Sequence, residues 1–202
     1  MEKFLNALAS SAPAPGGGGG AAMAGALAAA LSSMVANLTI GKEKFAAQEA
    51  QVQALLKDAE ELRAEMLQLV SDDAEVFNSF MACYKLPKAT EAEKAARTAA
   101  IRAAAKKAAA VPLAIAEGAG KVLVIADKLT VLGNPGVITD AACSAILARA
   151  ALRCAEYNVR INLNLTKDDE FNAAALAKLE TLQNEALRLE NNVLKLTDAA
   201  IS

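Results

Sequence analysis

Between residues 42 and 84 the apolar positions recur at threes, fours and sevens: Phe45, Val52, Leu55, Ala59, Leu62, Met66, Leu69, Phe77, Phe80 and Tyr84. That spacing places them on one face of a long helix and predicts a core-facing stripe rather than a ligand box. Leu86-Pro87-Lys88 ends the pattern, and Thr90-Glu91-Ala92-Glu93 has the form of a capping box that starts the next helix. This helix runs to about residue 110, where Val111-Pro112 predicts a break or a kink, and another spans roughly residues 113–132. After the turn Gly133-Asn134-Pro135-Gly136, Thr139-Asp140 opens a helix reaching about residue 165. Thr166-Lys167-Asp168-Asp169 caps the last helix, which carries Phe171, Leu176, Leu179, Leu182 and Val193 on its apolar side. A short helix over residues 2–9 precedes them all. The period-two alternation of a strand occurs nowhere. The expected fold class is therefore all-α, a bundle of long antiparallel helices forming one domain over residues 1–202.

The N-terminal stretch breaks this amphipathic rhythm. From Phe4 to Gly41 there is no charged residue, and Pro13-Ala14-Pro15 leads into five glycines, residues 16–20. The reading here is a glycine-rich loop followed by a buried, Ala-rich helix over about residues 20–40. Gly25, Ala29 and Ser33 form a small-residue row at spacing four that lets a neighbouring helix approach closely. A glycine loop opening a helix also offers unpaired N–H groups to an anion or a flat polar ligand; the plain alternative is a flexible linker beside a packed helix. Residues 16–40 are long enough to cross a bilayer. Their side chains are mostly Ala and Gly, with Ser32, Ser33, Asn37 and Thr39 in the second half, and the other helices are amphipathic. A central helix in a soluble bundle fits better than a membrane span.

Composition narrows the chemistry. A chain of 202 residues is expected to hide roughly 70% of its unfolded surface in one core. Net charge is −2, the cations form no block, and Trp is absent, so no nucleic-acid partner is expected. The three cysteines, Cys83, Cys143 and Cys154, are too scattered for a disulfide framework and suit a reducing cytoplasm. The chain contains no histidine. That removes Ser-His-Asp and Cys-His catalysis and the usual His-bearing zinc sites, and no metal site is expected. Acid–base chemistry must rest on carboxylates, Lys, Tyr or Cys.

Three places carry polar groups that a bundle does not need. One is the glycine run. A second is Asn37-Leu38-Thr39-Ile40-Gly41-Lys42, where Lys42 has the plainer role of satisfying a helix C-terminus. The third is Asp140, in the first turn of a helix that also bears Asn158 and Asn162. An Asp there commonly serves the helix dipole. Asp140 and Asn158 are eighteen residues apart, so they share a face but lie about 27 Å from each other. Either the asparagines hold a remote part of a long ligand, or they are structural, or a second subunit brings the two ends together. The row Arg149, Arg153, Glu156, Arg160 reads as a solvated or inter-subunit face.

Several segments occur in a telling order: Ser10-Ser11-Ala12-Pro13-Ala14-Pro15 with the glycine run, Met34-Val35-Ala36-Asn37-Leu38-Thr39-Ile40-Gly41-Lys42, Leu86-Pro87-Lys88, Gly133-Asn134 before Thr139-Asp140, and Asn158-Val159-Arg160-Ile161-Asn162-Leu163. Together, over essentially the whole chain, they resemble the cyclodeaminase/cyclohydrolase family. It comprises bacterial methenyltetrahydrofolate cyclohydrolases and the cyclodeaminase domain of formimidoyltransferase-cyclodeaminase. The resemblance implies a cytoplasmic, all-helical homodimer or larger homo-oligomer with its folate site near subunit contacts. It implies a tetrahydrofolate derivative as substrate and no permanently bound cofactor. It assigns Asp140 and Lys42 to catalysis. Substrate contacts are implied for Pro15, Gly16, Gly17, Gly18, Asn37, Asp73, Asn134, Asn158 and Asn162. Asp73 has a plain alternative as a solvent-facing helix residue. Gly19 stands where many relatives carry serine.

The implied reaction is hydrolysis of 5,10-methenyltetrahydrofolate to 10-formyltetrahydrofolate; the alternative is formimidoyltetrahydrofolate cyclodeaminase, which releases ammonia. Asp140 would take a proton from attacking water and return it to N5, a role worth about 10²–10⁴ in rate. Two readings from other classes stand beside it: a non-catalytic helical assembly protein and a membrane-associated helical protein.

Overall fold

The computed structural model describes residues 1–202 and contains six α-helices and no strand: α1 (Glu2–Leu8), α2 (Gly17–Asn37), α3 (Glu49–Cys83), α4 (Glu91–Leu132), α5 (Ile138–Thr166) and α6 (Asp169–Ile201). The Ala-rich α2 lies between α3 and α5, with α4 behind it, and α6 closes the bundle against α4 and α5. Small residues permit this central position: Ala22, Ala28, Ala29 and Ala36 are fully buried. Gly25 of α2 and Gly118 of α4 leave room for the buried Met66 of α3; a Cβ at Gly25 would stand 3.0 Å from its Sδ, and one at Gly118 would collide with its Cε. Ser32 and Ser144 join α2 to α5 inside the core through a 2.9 Å hydrogen bond, and Ser144 also donates to the carbonyl of Ala28.

Four sequence expectations change. The glycine run is not a loop: α2 begins at Gly17, so four of the five glycines form its first turn and only Gly16 precedes it. Residues 42–84 are not one helix, because Glu43–Gln48 form a 3₁₀ segment before α3. Arg149 does not face solvent; its guanidinium turns into α6, 3.7 Å from Glu190 and bonded to Gln183, which in turn reaches Glu156.

The fourth change concerns Pro112, which does not end a helix but sits buried inside the 42-residue α4. A proline there cannot donate to the carbonyl four residues earlier, that of Ala108. The side chain of Asn162, on α5, donates to that same carbonyl at 2.8 Å. A neighbouring helix thus supplies the missing donor, and α4 continues.

Three helical stretches are long and apolar enough to cross a bilayer: α2, part of α4, and Pro135–Thr166. In the bundle they are packed against one another. Beyond residue 70, α3 and the facing half of α4 extend past this core; from residue 71 to 104 only Phe80 is buried.

Two stability measurements follow, both by urea denaturation. Asn162→Ala is expected to cost about 1–3 kcal/mol, because it orphans a buried carbonyl, and to cost less than half as much in a Pro112→Ala background, where a backbone N–H returns. Gly118→Ala is expected to destabilise the native chain by about 1–3 kcal/mol through pressure on Met66. In a Met66→Ala background the same change should stabilise by up to about 1 kcal/mol, since alanine is then the better helix former.

Candidate active site

The first turn of α2 has no side chain of its own to cap it; Gly16 is the N-cap and contributes none. The cap comes from α3. Asp73 Oδ2 accepts the N–H of Gly19 at 2.8 Å, and its carboxylate lies so close to Gly18 that a Cβ there would overlap it. Asn158 of α5 approaches from the other side, where a Cβ on Gly17 would stand 3.3 Å from Nδ2 and 3.5 Å from Oδ1. Pro15 packs behind Gly19, 3.4 Å from the place a Cβ would occupy. At Gly18 glycine is required for this close approach and not for an unusual φ value.

Around this turn opens a cavity of about 270 Å³. Its polar side is built from Gly16, Gly17, Gly18, Asp73, Asn158 and Asn162; its apolar side comes from Val76, Phe77 and Phe80 of α3, Val111 of α4, and Ile161 and Leu165 of α5. Hydrogen bonding within the protein leaves a defined set of free groups. Asn158 Nδ2 donates to the carbonyl of Cys154, and Asn162 Nδ2 to the carbonyls of Ala108 and Asn158, so each amide presents its oxygen as a free acceptor. Burial pushes the Asp73 carboxyl above the usual carboxylate range, and the hydrogen bond from Gly19 offsets part of that rise. Asp73 is thus half-buried against α2, which excludes its reading as a solvent-facing residue.

Asn37, Lys42, Asn134 and Asp140 form a second group at the opposite end of the same helices. Gly17 and Asn37 are separated by the length of α2, about 30 Å, and Asn158 and Asp140 by about 27 Å of unbroken α5. Asn134 is committed locally: its backbone N–H donates to Thr39 Oγ1 at 2.8 Å, its Nδ2 to the carbonyl of Leu38, and its Oδ1 accepts from Gly136. These bonds fasten the turn between α4 and α5 to the end of α2. Lys42 is exposed, and Asp140 is half-buried in the first turn of α5 with no hydrogen bond or ion pair inside the protomer. No group of three or more Cys, Asp or Glu side chains is placed to hold a metal ion.

The glycines, Asp73 and the two asparagines therefore meet, while the carboxylate and lysine singled out for catalysis stand apart from them within one chain. Sequence reasoning missed the aromatic wall. Phe77 and Phe80 read as the tail of the core stripe, and only the acid at position 73, interrupting that stripe after Leu69, signals that the core has ended.

Comparison with known proteins fits this arrangement. The family model for formiminotransferase-cyclodeaminase matches residues 1–181. A methenyltetrahydrofolate cyclohydrolase of Methylorubrum extorquens is 43% identical over 202 residues, all of this chain and 97% of that protein. The formimidoyltransferase-cyclodeaminase of Sus scrofa is 33% identical over 92% of this chain, which spans only 34% of that longer protein. Among solved structures, formiminotetrahydrofolate cyclodeaminase from Thermotoga maritima superimposes with a TM-score of 0.90 at 28% identity, covering 100% of this chain and 97% of the other. With a family match over most of its length and a relative aligned end to end, this chain belongs to the formiminotransferase-cyclodeaminase family.

Proposed function

We propose that the protein is a cytoplasmic methenyltetrahydrofolate cyclohydrolase that works as a homodimer. The observation that carries this reading is the cavity at the glycine turn, apolar on one side and polar on the other, in a chain aligned end to end with a cyclohydrolase. The cavity holds the folate. The reacting bridge between N5 and N10 is an amidinium, so its carbon is already electrophilic. Water adds to that carbon and gives its proton to a carboxylate. The C–N5 bond then breaks as that proton passes to N5, and the hydroxyl on the carbon loses its own proton to solvent as it becomes the carbonyl of the formyl group left on N10.

The second subunit supplies the carboxylate. On α2 the outward face is apolar without interruption, through Met23, Leu27, Ala30, Leu31 and Met34. On the adjacent α5, Cys143, Ile146, Ala150, Cys154, Tyr157 and Ile161 form an exposed stripe at helical spacing. A second copy covers both. When α5 packs antiparallel on its own copy and crosses near the small Ala150, residues equally far from the crossing face each other, so Asp140 of each chain reaches Asn158 of the other. The 27 Å separation within one chain becomes proximity between two. Asp140 is then the general base and acid, and Lys42 steadies negative charge beside it.

The alternative, cyclodeaminase activity, is favoured by the name of the superimposable Thermotoga maritima protein. Loss of methenyl absorbance without ammonia release from formimidoyltetrahydrofolate is the expected result; rapid ammonia release would reverse the assignment.

Asp140→Asn is expected to lower turnover about 10²–10⁴-fold while folate binding and thermal stability stay near native values. Gly18→Ala, which displaces Asp73, is expected to lose activity through binding. Mixing and refolding the two inactive variants should restore about a quarter of native activity, because half of the dimers are mixed and each mixed dimer has one intact site. No recovery, with a dimer present by sedimentation, would place Asp140 in the same chain's chemistry or outside it.

A further inference from the structure

The free groups of the cavity are specific enough to say which end of the substrate enters it. Asp73 is held at two points: Oδ2 by the N–H of Gly19, and the carboxylate plane by contact with Gly18. Oδ1 makes no hydrogen bond within the protein. Asp73 lines the same cavity as Phe77, Phe80, Val111, Asn158 and Asn162, which suits a ligand with an apolar face and a hydrogen-bonding edge. Only donors satisfy that edge on the side of Asp73, and the oxygens of Asn158 and Asn162 add two further acceptors. A p-aminobenzoylglutamate tail ends in carboxylates and would meet repulsion from Asp73. The pterin presents the opposite pattern, with N3–H and the 2-amino group as adjacent donors.

We infer that Asp73 is the specificity-determining residue of this cavity, its carboxylate accepting from the N3–H and 2-amino donors of the pterin ring while Phe77 and Phe80 line the ring's apolar surface. This rests on the folate reading above and deepens it. The pyrimidine edge is innermost, and the N5–N10 bridge faces the mouth, where the proposed partner subunit delivers its acid. The rigid cap gives a second role to the same carboxylate. Because Asp73 is fixed by α2 before ligand arrives, little side-chain freedom is lost on binding.

The test is binding, not turnover, with two fragments as probes: 6-methyltetrahydropterin, which lacks the tail, and p-aminobenzoylglutamate, which lacks the ring. Asp73→Asn is expected to weaken the pterin fragment about ten- to a hundredfold, the loss of a hydrogen-bond pair to a charged acceptor, and to leave the tail fragment unchanged. A pterin analogue lacking the 2-amino group should bind the native protein as weakly as the normal fragment binds the variant, and should lose little more on Asp73→Asn. Equal weakening of both fragments would reduce Asp73 to a helix cap, and an unchanged pterin affinity would overturn the inference outright. The two readings separate cleanly. Native protein that hydrolyses methenyltetrahydrofolate while Asp73→Asn binds pterin normally defeats this inference alone. Native protein without hydrolysis but with the fragment selectivity above defeats the assigned reaction alone.

Discussion

The cavity end of the bundle depends on one steric condition: Asp73 of α3 approaches the first turn of α2 at Gly18 more closely than a side chain there would allow, with Asn158 of α5 close to Gly17 on the other side. Four glycines in that turn are a poor choice for a helix, each about 1 kcal/mol worse than alanine. Part of this cost is offset by the Asp73–Gly19 hydrogen bond, since a good N-cap contributes about 0.5–2 kcal/mol. The cap comes from a residue 54 positions away in sequence, so the start of α2 is ordered only once α3 has docked. Local propensity and tertiary packing disagree at this turn, and packing wins. Such disagreement is what a binding site leaves in a fold that is otherwise consistent with its sequence.

A second constraint comes from the continuity of the long helices. α5 runs from Ile138 to Thr166 without a break, and α4 passes through Pro112 without one. Asn162 serves the second of these, because its amide repairs the carbonyl ladder of α4, and the same residue lines the cavity. The wall that carries Ala108 and Val111 is therefore held in place by a residue of the opposing wall. Rigid walls also mean that the distant Asp140 cannot be swung toward the cavity by bending α5. In the proposed dimer a second copy unites the two ends, so the apolar outward faces of α2 and α5 bear on chemistry as well as assembly.

How much of this was legible beforehand follows from how local each signal is. The helices, the Thr90–Glu93 capping box and the Asp168 cap are written in short-range spacing, and the structure keeps them. The glycine run was legible as a special place but not as a helical turn, because its cap lies on another helix. Pro112 was misread for the same reason: the donor that rescues Ala108 is 54 residues away. The placement of Asn134 as a clasp on Thr39 and Leu38, and of Phe77 and Phe80 as a cavity wall, likewise needs neighbours that periodicity does not name.

The two acids differ in a way that bears on which of them handles protons. Asp73 has one oxygen bound to Gly19 and the other over Gly18, and burial already disfavours its charge. A group so tethered suits recognition, where a fixed acceptor meets a fixed donor, and suits proton transfer badly, since accepting a proton would weaken its hold on the helix it caps. Asp140 is the converse. It has no hydrogen-bond or ion-pair partner in its own chain, and it stands in the first turn of a 29-residue helix. In a chain with no histidine, this unpaired carboxylate is the group the proposed mechanism uses to take a proton from water beside the amidinium carbon. In the proposed mechanism the positive charge of the substrate supplies the counter-charge that Asp140 lacks in its own chain.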